Sequence, residues 1–373
     1  MIKSKKLLLI GVVAALGLAA CGSDDDASST SEATETEATE APESTEATTE
    51  STEATTEGTD AAAEGDCAVG VVYDITGRGD RSFNDAAGAG LDQAVAELGV
   101  TASESTPTGD GDRAQRVQGL VDEGNDLVLG VGFLFGDAIT EASAANPDTT
   151  FAIVDSVVEA PNVASLVFAE EQGSFLVGAA AALKSQTGTI GFIGGVENDL
   201  IKKFEAGYTA GAQAVNPDIV VLASYITQPP DFSGFNDAAK GKEIAAAQYQ
   251  EGADVIYAAA GSSGLGVFEA AAEAGEPGTV WAIGVDSDQY ELVSPELQPY
   301  ILTSMLKKVD VATFETIKVV CEGGDAAGVQ TFDLSVDGVG YSTSGGFVDD
   351  IADQLDAFKE QIISGEIEVP TAP

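Results

Sequence analysis

The stretch DVIYAAAGSSGLG, residues 254–266, contains the pattern that decides the fold. Its first six residues form a short apolar run typical of a buried strand, and the Ala-rich sequence after it is typical of a helix. A strand joined to a helix by a short glycine loop is the unit of parallel α/β sheets. Gly261 opens this loop, where a glycine allows close backbone approach and leaves N–H groups free for a ligand. Gly261 is therefore a candidate binding residue, although the loop lacks the glycine spacing of a phosphate motif.

The same unit repeats along the chain from Cys67 onward. The pattern predicts strands at residues 68–73, 126–131, 150–154, 189–193, 219–225, 254–259 and 279–285. It predicts helices at residues 82–98, 113–123, 137–146, 171–183, 202–215, 240–251, 266–274 and 311–320. A segment of about 300 residues exceeds what one hydrophobic core usually serves, so we expect two α/β lobes. Ligands of such folds bind beyond the carboxyl ends of the strands, and here also between the lobes.

The composition excludes several classes of function. The 373 residues include 62 acidic and 16 basic side chains and no histidine, which gives a formal charge of −46. Without histidine there is no Ser-His-Asp triad, no imidazole base and no His-ligated zinc or haem. Binding of nucleic acid depends on clustered Lys and Arg, so we expect no nucleic-acid partner. We also expect no metal and no cofactor.

The first 20 residues have the organisation of a signal peptide. Lys3, Lys5 and Lys6 precede a short apolar run, and residues 18–21 read Leu-Ala-Ala-Cys. This order resembles the lipobox of bacterial lipoproteins, which implies lipidation of Cys21 and anchoring at the extracytoplasmic face of the cell membrane. Residues 21–66 are mostly Ser, Thr, Glu and Ala, with 15 acidic and no basic side chains, which predicts a disordered tether.

Two cysteines remain in residues 67–373. Cys67 and Cys321 form an even pair in a chain that we expect to be exported, so a disulfide is possible. The sequence leaves the pairing open, because it does not show whether the two Cα atoms come within bonding reach.

The loop after the first predicted strand, residues 74–84, carries polar residues that a purely structural account leaves unexplained. Asp80 or Ser82 can cap the helix that follows, and Phe83 can pack on the sheet. Asp74 and Asn84 have no such role. Both are therefore candidate ligand residues.

Six segments, taken in chain order, resemble the basic membrane protein family, the PnrA/Med/TmpC-like substrate-binding lipoproteins of ABC transporters. They are DRSFN (80–84), IKKFEAG (201–207), AKGKE (239–243), GLGVFEA (264–270), IGVDSDQ (283–289) and TSMLKKVD (303–310). The resemblance implies a two-lobed type I periplasmic-binding-protein fold, in which two parallel sheets flanked by helices are joined by hinge crossovers. It also implies that a nucleoside, with a purine base expected, is captured by hinge closure and passed to an ABC permease and its ATPase without a chemical step.

Within this resemblance, Asp286 and Lys307 are the candidates for binding a ribose. A carboxylate can accept hydrogen bonds from both hydroxyls of a vicinal diol, and an ammonium donates to the same oxygens. Asp288 and Lys308 are the alternatives if the register differs by one or two residues. The purely structural alternatives are that Asp286 caps a turn and that Lys307 is a solvated surface residue.

To bind the base, the protein needs apolar surfaces against its two flat faces and polar groups that hydrogen bond to its edge. Phe235 lies where the family places a stacking aromatic, with Phe232 as the competing choice. Asp74, Asn84 and Asp137 are the candidates for the base edge. Relatives often carry an aromatic one helical turn after the Asn84 position, where this chain reads Asp85-Ala86-Ala87-Gly88. Stacking on that side is therefore expected from Phe83 or Phe133, or the pocket is expected to be roomier.

We expect one domain at residues 67–373. Lobe 1 is placed at about 67–170 plus a segment after about 300, and lobe 2 at about 171–300 plus part of the C-terminus. The expected crossovers are residues 298–303 and the stretches near Glu170 and Asp286. We expect a monomer.

Two other functions are compatible with these residues. One is a ligand-sensing surface lipoprotein of the same fold. The other is a nucleoside hydrolase that uses carboxylates among Asp74, Asp80, Asp286 and Asp288. The hydrolase is disfavoured because residues 80–84 lack the aspartate-rich spacing of a metal-dependent site.

Overall fold

The computed structural model describes residues 67–109 and 111–373. The predicted signal peptide, Cys21 and the tether lie outside the described residues. The described part of the chain contains two six-stranded sheets, each at the centre of one lobe.

Lobe 1 is built mainly from the first part of the described chain. Its sequential elements are β1 (Ala68–Val72), α1 (Phe83–Leu98), β2 (Thr101–Ser105), α2 (Arg113–Asp122), β3 (Leu127–Gly130), α3 (Gly136–Ala145), β4 (Thr150–Val154) and β5 (Val163–Phe168). The later elements α9 (Val309–Cys321) and β11 (Gly328–Phe332) complete it. The strand order is β11-β5-β4-β3-β1-β2, and every pair is parallel. Strands β3 and β4 are buried on both faces, as their continuous apolar sequences require.

Lobe 2 repeats this arrangement. Its elements are α4 (Glu170–Lys184), β6 (Thr189–Val196), α5 (Asp199–Val215), β7 (Val220–Thr227), α6 (Ala238–Gln250), β8 (Val255–Ala259), α7 (Gly264–Ala274), β9 (Trp281–Asp286), α8 (Gln289–Leu292), β10 (Ile301–Lys307), β12 (Val339–Tyr341) and α10 (Ala352–Ile363). The strand order is β12-β10-β9-β8-β6-β7, and only β12 is antiparallel to its neighbour. Strands β4 and β9 thus hold equivalent places in the two sheets.

The chain passes between the lobes at three places. Strand β5 leads directly into α4, β10 leads into α9, and β11 is followed by β12. Backbone hydrogen bonds tie these crossovers together, from Ala169 N to Phe332 O (3.0 Å) and from Lys308 N to Gly338 O (2.9 Å). The hinge is therefore a compact, hydrogen-bonded unit.

Two of the expected crossovers are wrong. Residues 298–303 form a short turn and the start of β10, and Asp286 ends β9, so both lie inside lobe 2. The crossover expected near Glu170 is present, because Glu170 is the first residue of α4. Residues 301–303 were predicted to belong to a crossover because the pairing of β10 with β9 depends on the assembled sheet and leaves no local sequence pattern.

Helices α4 and α5 of lobe 2 approach each other closely at small residues. A Cβ atom on Gly207 would lie 2.1 Å from the carbonyl oxygen of Glu171, and one on Gly211 would lie 1.9 Å from that of Phe175. Both distances are far below van der Waals contact, so only glycine permits this packing. The contact fixes α5, whose N-terminal turns face the cleft described below.

A disulfide joins Cys67, which precedes β1, to Cys321 at the end of α9. The two Cα atoms are 5.5 Å apart, and the cysteines are separated by 254 residues in sequence. The bond links the beginning of lobe 1 to the helix that returns to it from lobe 2.

Candidate functional site

A cleft with an empty volume of about 660 Å³ lies between the two lobes, at the carboxyl ends of the parallel strands. Its lining residues come from both lobes and from the hinge. They are Asp74, Ile75, Thr76, Asp80, Phe83, Asn84, Gly132, Phe133, Asp155, Leu200, Ile201, Phe204, Phe235, Ala259, Ala260, Gly261, Val285, Asp286 and Lys307. A concave site with apolar walls and a few polar groups is typical of binding sites for small organic ligands.

Asp286 ends β9 and is 8% exposed. Its carboxylate accepts a hydrogen bond of 2.6 Å from the hydroxyl of Ser82 in lobe 1. Burial raises the pKa of Asp286 to about 6, against the opposing effects of the Lys307 ammonium and the Ser82 hydrogen bond. The group is therefore an acceptor at neutral pH that lies close to its titration range.

Asp155 is the counterpart of Asp286 in lobe 1. It directly follows β4, as Asp286 ends β9, and both residues have left-handed backbone angles, with φ of 65° and 64°. Non-glycine residues seldom adopt this conformation, and it is concentrated at functional sites. The two lobes thus present equivalent carboxylates to the same cleft.

Lys307, at the end of β10, lies between acidic groups at the hinge. Its ammonium is 2.6 Å from each carboxylate oxygen of Asp155 and 3.5 Å from Glu170, and its side chain is 2% exposed. Burial alone would lower the pKa of Lys307, but Asp155, Glu170 and Asp286 together raise it above its ordinary value. Lys307 is therefore held as an ammonium inside the protein.

Aromatic rings complete the surroundings of this ammonium. Lys307 Nζ lies 5.1 Å from the ring centroid of Phe83, 5.0 Å from that of Phe168 and 5.7 Å from that of Phe204. Such distances are within the range of cation–π attraction. Since Phe83 belongs to lobe 1 and Phe204 to lobe 2, the hinge end of the cleft combines charge with apolar faces from both sides.

The loop after β1 is held by a polar network. Asp80 accepts hydrogen bonds from the backbone N–H groups of Ser82, Asn84 and Asp85, which satisfies the first turn of α1. The amide oxygen of Asn84 accepts from the backbone N–H of Asp74 (2.9 Å), and Arg113 lies 3.5 Å from the Asp74 carboxylate. Asp80 therefore has the capping role expected for Asp80 or Ser82, and Ser82 is directed to Asp286 instead.

Aromatic side chains line the cleft on both sides. Phe133 follows β3 in lobe 1, and its ring meets that of Phe232 of lobe 2 edge-on at 6.0 Å. Phe235 packs on Gly195 at the end of β6, where a Cβ atom would lie 2.4 Å from its ring. Of the two candidates for stacking in this loop, Phe235 lines the cleft, and Phe232 contacts the opposite lobe.

Seven of the eight ligand residues predicted from sequence line this cleft: Asp74, Asn84, Phe133, Phe235, Gly261, Asp286 and Lys307. Asp137 does not, because it lies exposed in the first turn of α3. Helix α3 begins at Gly136, after a short turn over Phe133–Phe135, and this turn leaves Asp137 outside the cleft lining. The alternatives Asp288 and Lys308 do not line the cleft either.

Sequence reasoning missed Asp155 and Phe204. Asp155 follows a strand whose bounds the pattern predicted, so the rule that selected Asp74 after β1 would also have selected it. Phe204 lies in a segment that carried the family resemblance, but its direction depends on how α5 packs.

The departure at Gly88 has a local explanation. A Cβ atom on Gly88 would lie 2.7 Å from the guanidinium of Arg78, which binds Asp92 and Glu104 and donates to the carbonyl of Gly88. Arg78 therefore occupies the space beside Gly88. Phe83 and Phe133, the expected substitutes for an aromatic at this position, both line the cleft.

Residues 67–109 and 111–373 contain neither a candidate metal site nor a candidate membrane span. Within these residues, no cluster of three or more Asp, Glu, Cys or His side chains has the arrangement of a metal site. No helix in the same ranges combines the length and apolar character needed to cross a bilayer.

The sequence matches known proteins over the whole described region. Residues 68–372 match the family described as ABC transporter substrate-binding protein PnrA-like. The "ABC transporter nucleoside-binding protein BmpA" of Lactococcus lactis is 36% identical over 323 residues, which cover 82% of this chain and 90% of that protein. The "CD4+ T-cell-stimulating antigen" of Listeria monocytogenes is 36% identical over 327 residues, covering 83% of this chain and 89% of that protein.

Solved structures agree with this result. An ABC transporter solute-binding protein from Aeropyrum pernix superposes with a TM-score of 0.73 at 29% identity, covering 82% of this chain and 94% of the other. The expected type I periplasmic-binding-protein fold is confirmed, as is the predicted family. This chain belongs to the PnrA-like family of ABC transporter substrate-binding proteins.

Proposed function

We propose that this substrate-binding protein captures a nucleoside, with preference for a purine nucleoside, and delivers it to an ABC importer. The observation that carries the proposal is the meeting of Asp286, Lys307 and several phenylalanine rings in one cleft. A ribose offers hydroxyl donors to a carboxylate and acceptors to an ammonium, and a base offers two flat faces. The printed name of the Lactococcus relative supports the same ligand class.

The arrangement of charges favours an uncharged ligand. Asp74, Asp80, Asp155 and Asp286 line the cleft, whereas Lys307 is its only lining basic residue among those described, and it already pairs with Asp155. A phosphate group would be placed beside carboxylates, which repel it. We expect capture and release without a chemical step.

Isothermal titration calorimetry of the full chain tests the ligand class. We expect inosine, guanosine and adenosine to bind more tightly than ribose or free hypoxanthine, because only the nucleosides fill both the polar and the aromatic parts of the cleft. Equal affinity for ribose and inosine, or no binding of any nucleoside, would contradict the proposal.

A pair of matched variants tests the residue assignment. Asp286→Asn keeps the shape but removes the charge, and a hydrogen bond to a charged group is worth about 1.5–3 kcal/mol, so we expect affinity to fall about tenfold or more. Asp288→Asn is the control, because Asp288 is two residues away, accepts a hydrogen bond from Ser344 and does not line the cleft. Equal effects of the two substitutions would refute the role of Asp286.

We further infer that the protein is a monomer held at the outer face of the membrane by a lipid on Cys21, with residues 21–66 as the tether. The Leu-Ala-Ala-Cys sequence supports the lipid anchor. Metabolic labelling with a radioactive fatty acid should mark the native chain, whereas Cys21→Ala should abolish labelling and release the protein from membranes. Persistent labelling of that variant would place the lipid elsewhere.

A further inference from the structure

Two loops from opposite lobes are joined directly beside the cleft. The hydroxyl of Ser82 in lobe 1 donates to Asp286 at 2.6 Å and lies 3.2 Å from the carbonyl oxygen of Val285, both in lobe 2. In return, the hydroxyl of Ser287 donates to the carbonyl of Ser82 at 2.9 Å, and the side-chain amide of Gln289 donates to the carbonyl of Arg81 at 2.9 Å.

The two contacts of the Ser82 hydroxyl are buried, and the contacts of Ser287 and Gln289 are partly buried. Ser82 and Gln289 are fully inaccessible to solvent. The amide oxygen of Gln289 also accepts from the backbone N–H of Val285, so the side chain is held within lobe 2 while its amide nitrogen reaches lobe 1. Arg81 and Asp286, on opposite sides of the contact, both have left-handed φ angles, of 54° and 64°. Each of the two loops thus adopts an uncommon backbone conformation at the point of contact.

We propose that these loops form an interlobe latch, in which Ser82 is a positioning residue that orients Asp286 for the ligand only when the lobes are closed. The part concerning Asp286 rests on the proposed nucleoside function, whereas the latch itself does not. Its bonds join protein atoms only, so they favour the closed form whatever the cleft contains. Because a ligand binds a two-lobed cleft in proportion to the fraction of competent molecules, the latch sets the apparent affinity.

The two serines separate the two parts of the proposal. Ser287→Ala removes a bond of the latch without touching Asp286, so it should weaken closure alone. Ser82→Ala removes a bond of the latch and also the donor to Asp286. Ser143→Ala is the matched control, because Ser143 is also a buried serine whose hydroxyl donates to a backbone carbonyl, at 3.2 Å, but entirely within α3 of lobe 1.

Hydrogen–deuterium exchange of the full chain without ligand measures the latch. In Ser82→Ala and Ser287→Ala, we expect faster exchange in peptides covering residues 80–86 and 283–293, since both loops become accessible when the lobes open. Exchange in β3 and β8 should stay unchanged, because opening leaves each sheet intact. Unchanged exchange in both loops, as in Ser143→Ala, would overturn the latch.

Stopped-flow binding of inosine measures the consequence for the ligand. We expect the dissociation rate to rise about tenfold in Ser287→Ala and more in Ser82→Ala, with smaller changes in the association rate, because interactions of the closed form act mainly on dissociation. Dissociation rates within twofold of Ser143→Ala in both variants would overturn the proposal.

The pH profile of binding isolates the positioning role. The Asp286 carboxylate faces Ser82, the Lys307 ammonium, and the carboxylates of Asp155 and Asp80. Ser82 stabilises its ionised form, so Ser82→Ala should move the pH below which inosine binding weakens to a higher value, whereas Ser287→Ala should leave it in place. Identical profiles would overturn the positioning role. If the wild-type chain fails to bind inosine, the proposed function and the positioning role fall together, and the exchange measurement alone decides the latch.

Discussion

Replacing Lys307 by methionine should destabilise the protein strongly, because it leaves the buried Asp155 carboxylate without its cation and removes one of the two cations beside Glu170. The Lys307 ammonium lies 2.6 Å from Asp155 and 3.5 Å from Glu170 in a site where its side chain is 2% exposed. Methionine fills a similar volume, so the main change is the loss of charge. Breaking a buried ion pair by removing one partner typically costs about 3–5 kcal/mol.

The free energy of protonating a carboxylate sets an upper limit on this loss of stability. A buried carboxylate without a cation can escape by taking up a proton, and at pH 7 protonating a carboxyl group of ordinary pKa costs about 4 kcal/mol, at about 1.4 kcal/mol per pH unit. In the variant, the folded state retains a proton that the unfolded state gives up. The free energy of unfolding therefore rises as the pH falls, and the loss relative to wild type should be smaller at pH 5 than at pH 7.5.

Urea unfolding followed by the fluorescence of Trp281, the single tryptophan of the chain, measures this effect. Lys242→Met is the matched control, since Lys242 also binds two carboxylates, Glu269 at 3.1 Å and Glu273 at 2.8 Å, but on the surface. Solvent screens that cluster, so little change is expected. A loss below about 1 kcal/mol for Lys307→Met at pH 7.5, or a loss that grows at pH 5, would refute the reasoning.

Two further predictions concern the ligand and the packing of lobe 2. Inosine affinity should fall below pH 6, by up to about tenfold per pH unit, because burial raises the pKa of Asp286 to about 6 and a protonated Asp286 must lose its proton before it can accept from the ribose. Calorimetry of wild type and Asp286→Asn at pH 5, 6 and 7.5 measures this effect. A pH-dependent affinity in the variant would assign the effect to another group. Gly207→Ala should lower the free energy of unfolding by about 1–3 kcal/mol, because its Cβ would lie 2.1 Å from the carbonyl oxygen of Glu171. Gly119→Ala in α2 meets no atom within 4 Å and should instead stabilise by about 0.5–1 kcal/mol, so equal effects in urea unfolding would contradict the packing argument.

The sequence pattern predicted seven of the twelve strands in the described residues. It missed the edge strands β2, β11 and β12, and also β5 and β10, which lie inside the sheets. All seven predicted strands are present, since each is a compact apolar run. Strand β2 was missed because its sequence, Thr101–Ser105, is polar and half-exposed at a sheet edge. Strands β11 and β12 add to sheets through pairings with distant residues, which no local pattern reports.

The candidate site could be predicted where function follows from local position. Asp74 was identified as a polar residue in the loop after the first predicted strand, where such residues collect at one edge of a parallel sheet, and Asp286 was identified through the family resemblance. The pairing of Lys307 with Glu170 could not be predicted in this way. It arises because two crossovers, more than a hundred residues apart in sequence, are brought together at the hinge.

The interrupted course of lobe 1 along the chain determines the order in which the protein can acquire its structure. Helix α9 packs on α1, and β11 pairs with β5, so the sheet and the helix layer of lobe 1 stay incomplete until residue 332 is available. Most of lobe 2, by contrast, is a continuous segment from α4 to β10. Five of the six strands of the lobe 1 sheet therefore precede lobe 2 in the chain, and β5 gains its neighbour β11 only after most of lobe 2 has been synthesised. The Cys67–Cys321 bond joins the segment before β1 to the end of α9, so it closes a covalent loop that contains most of lobe 2.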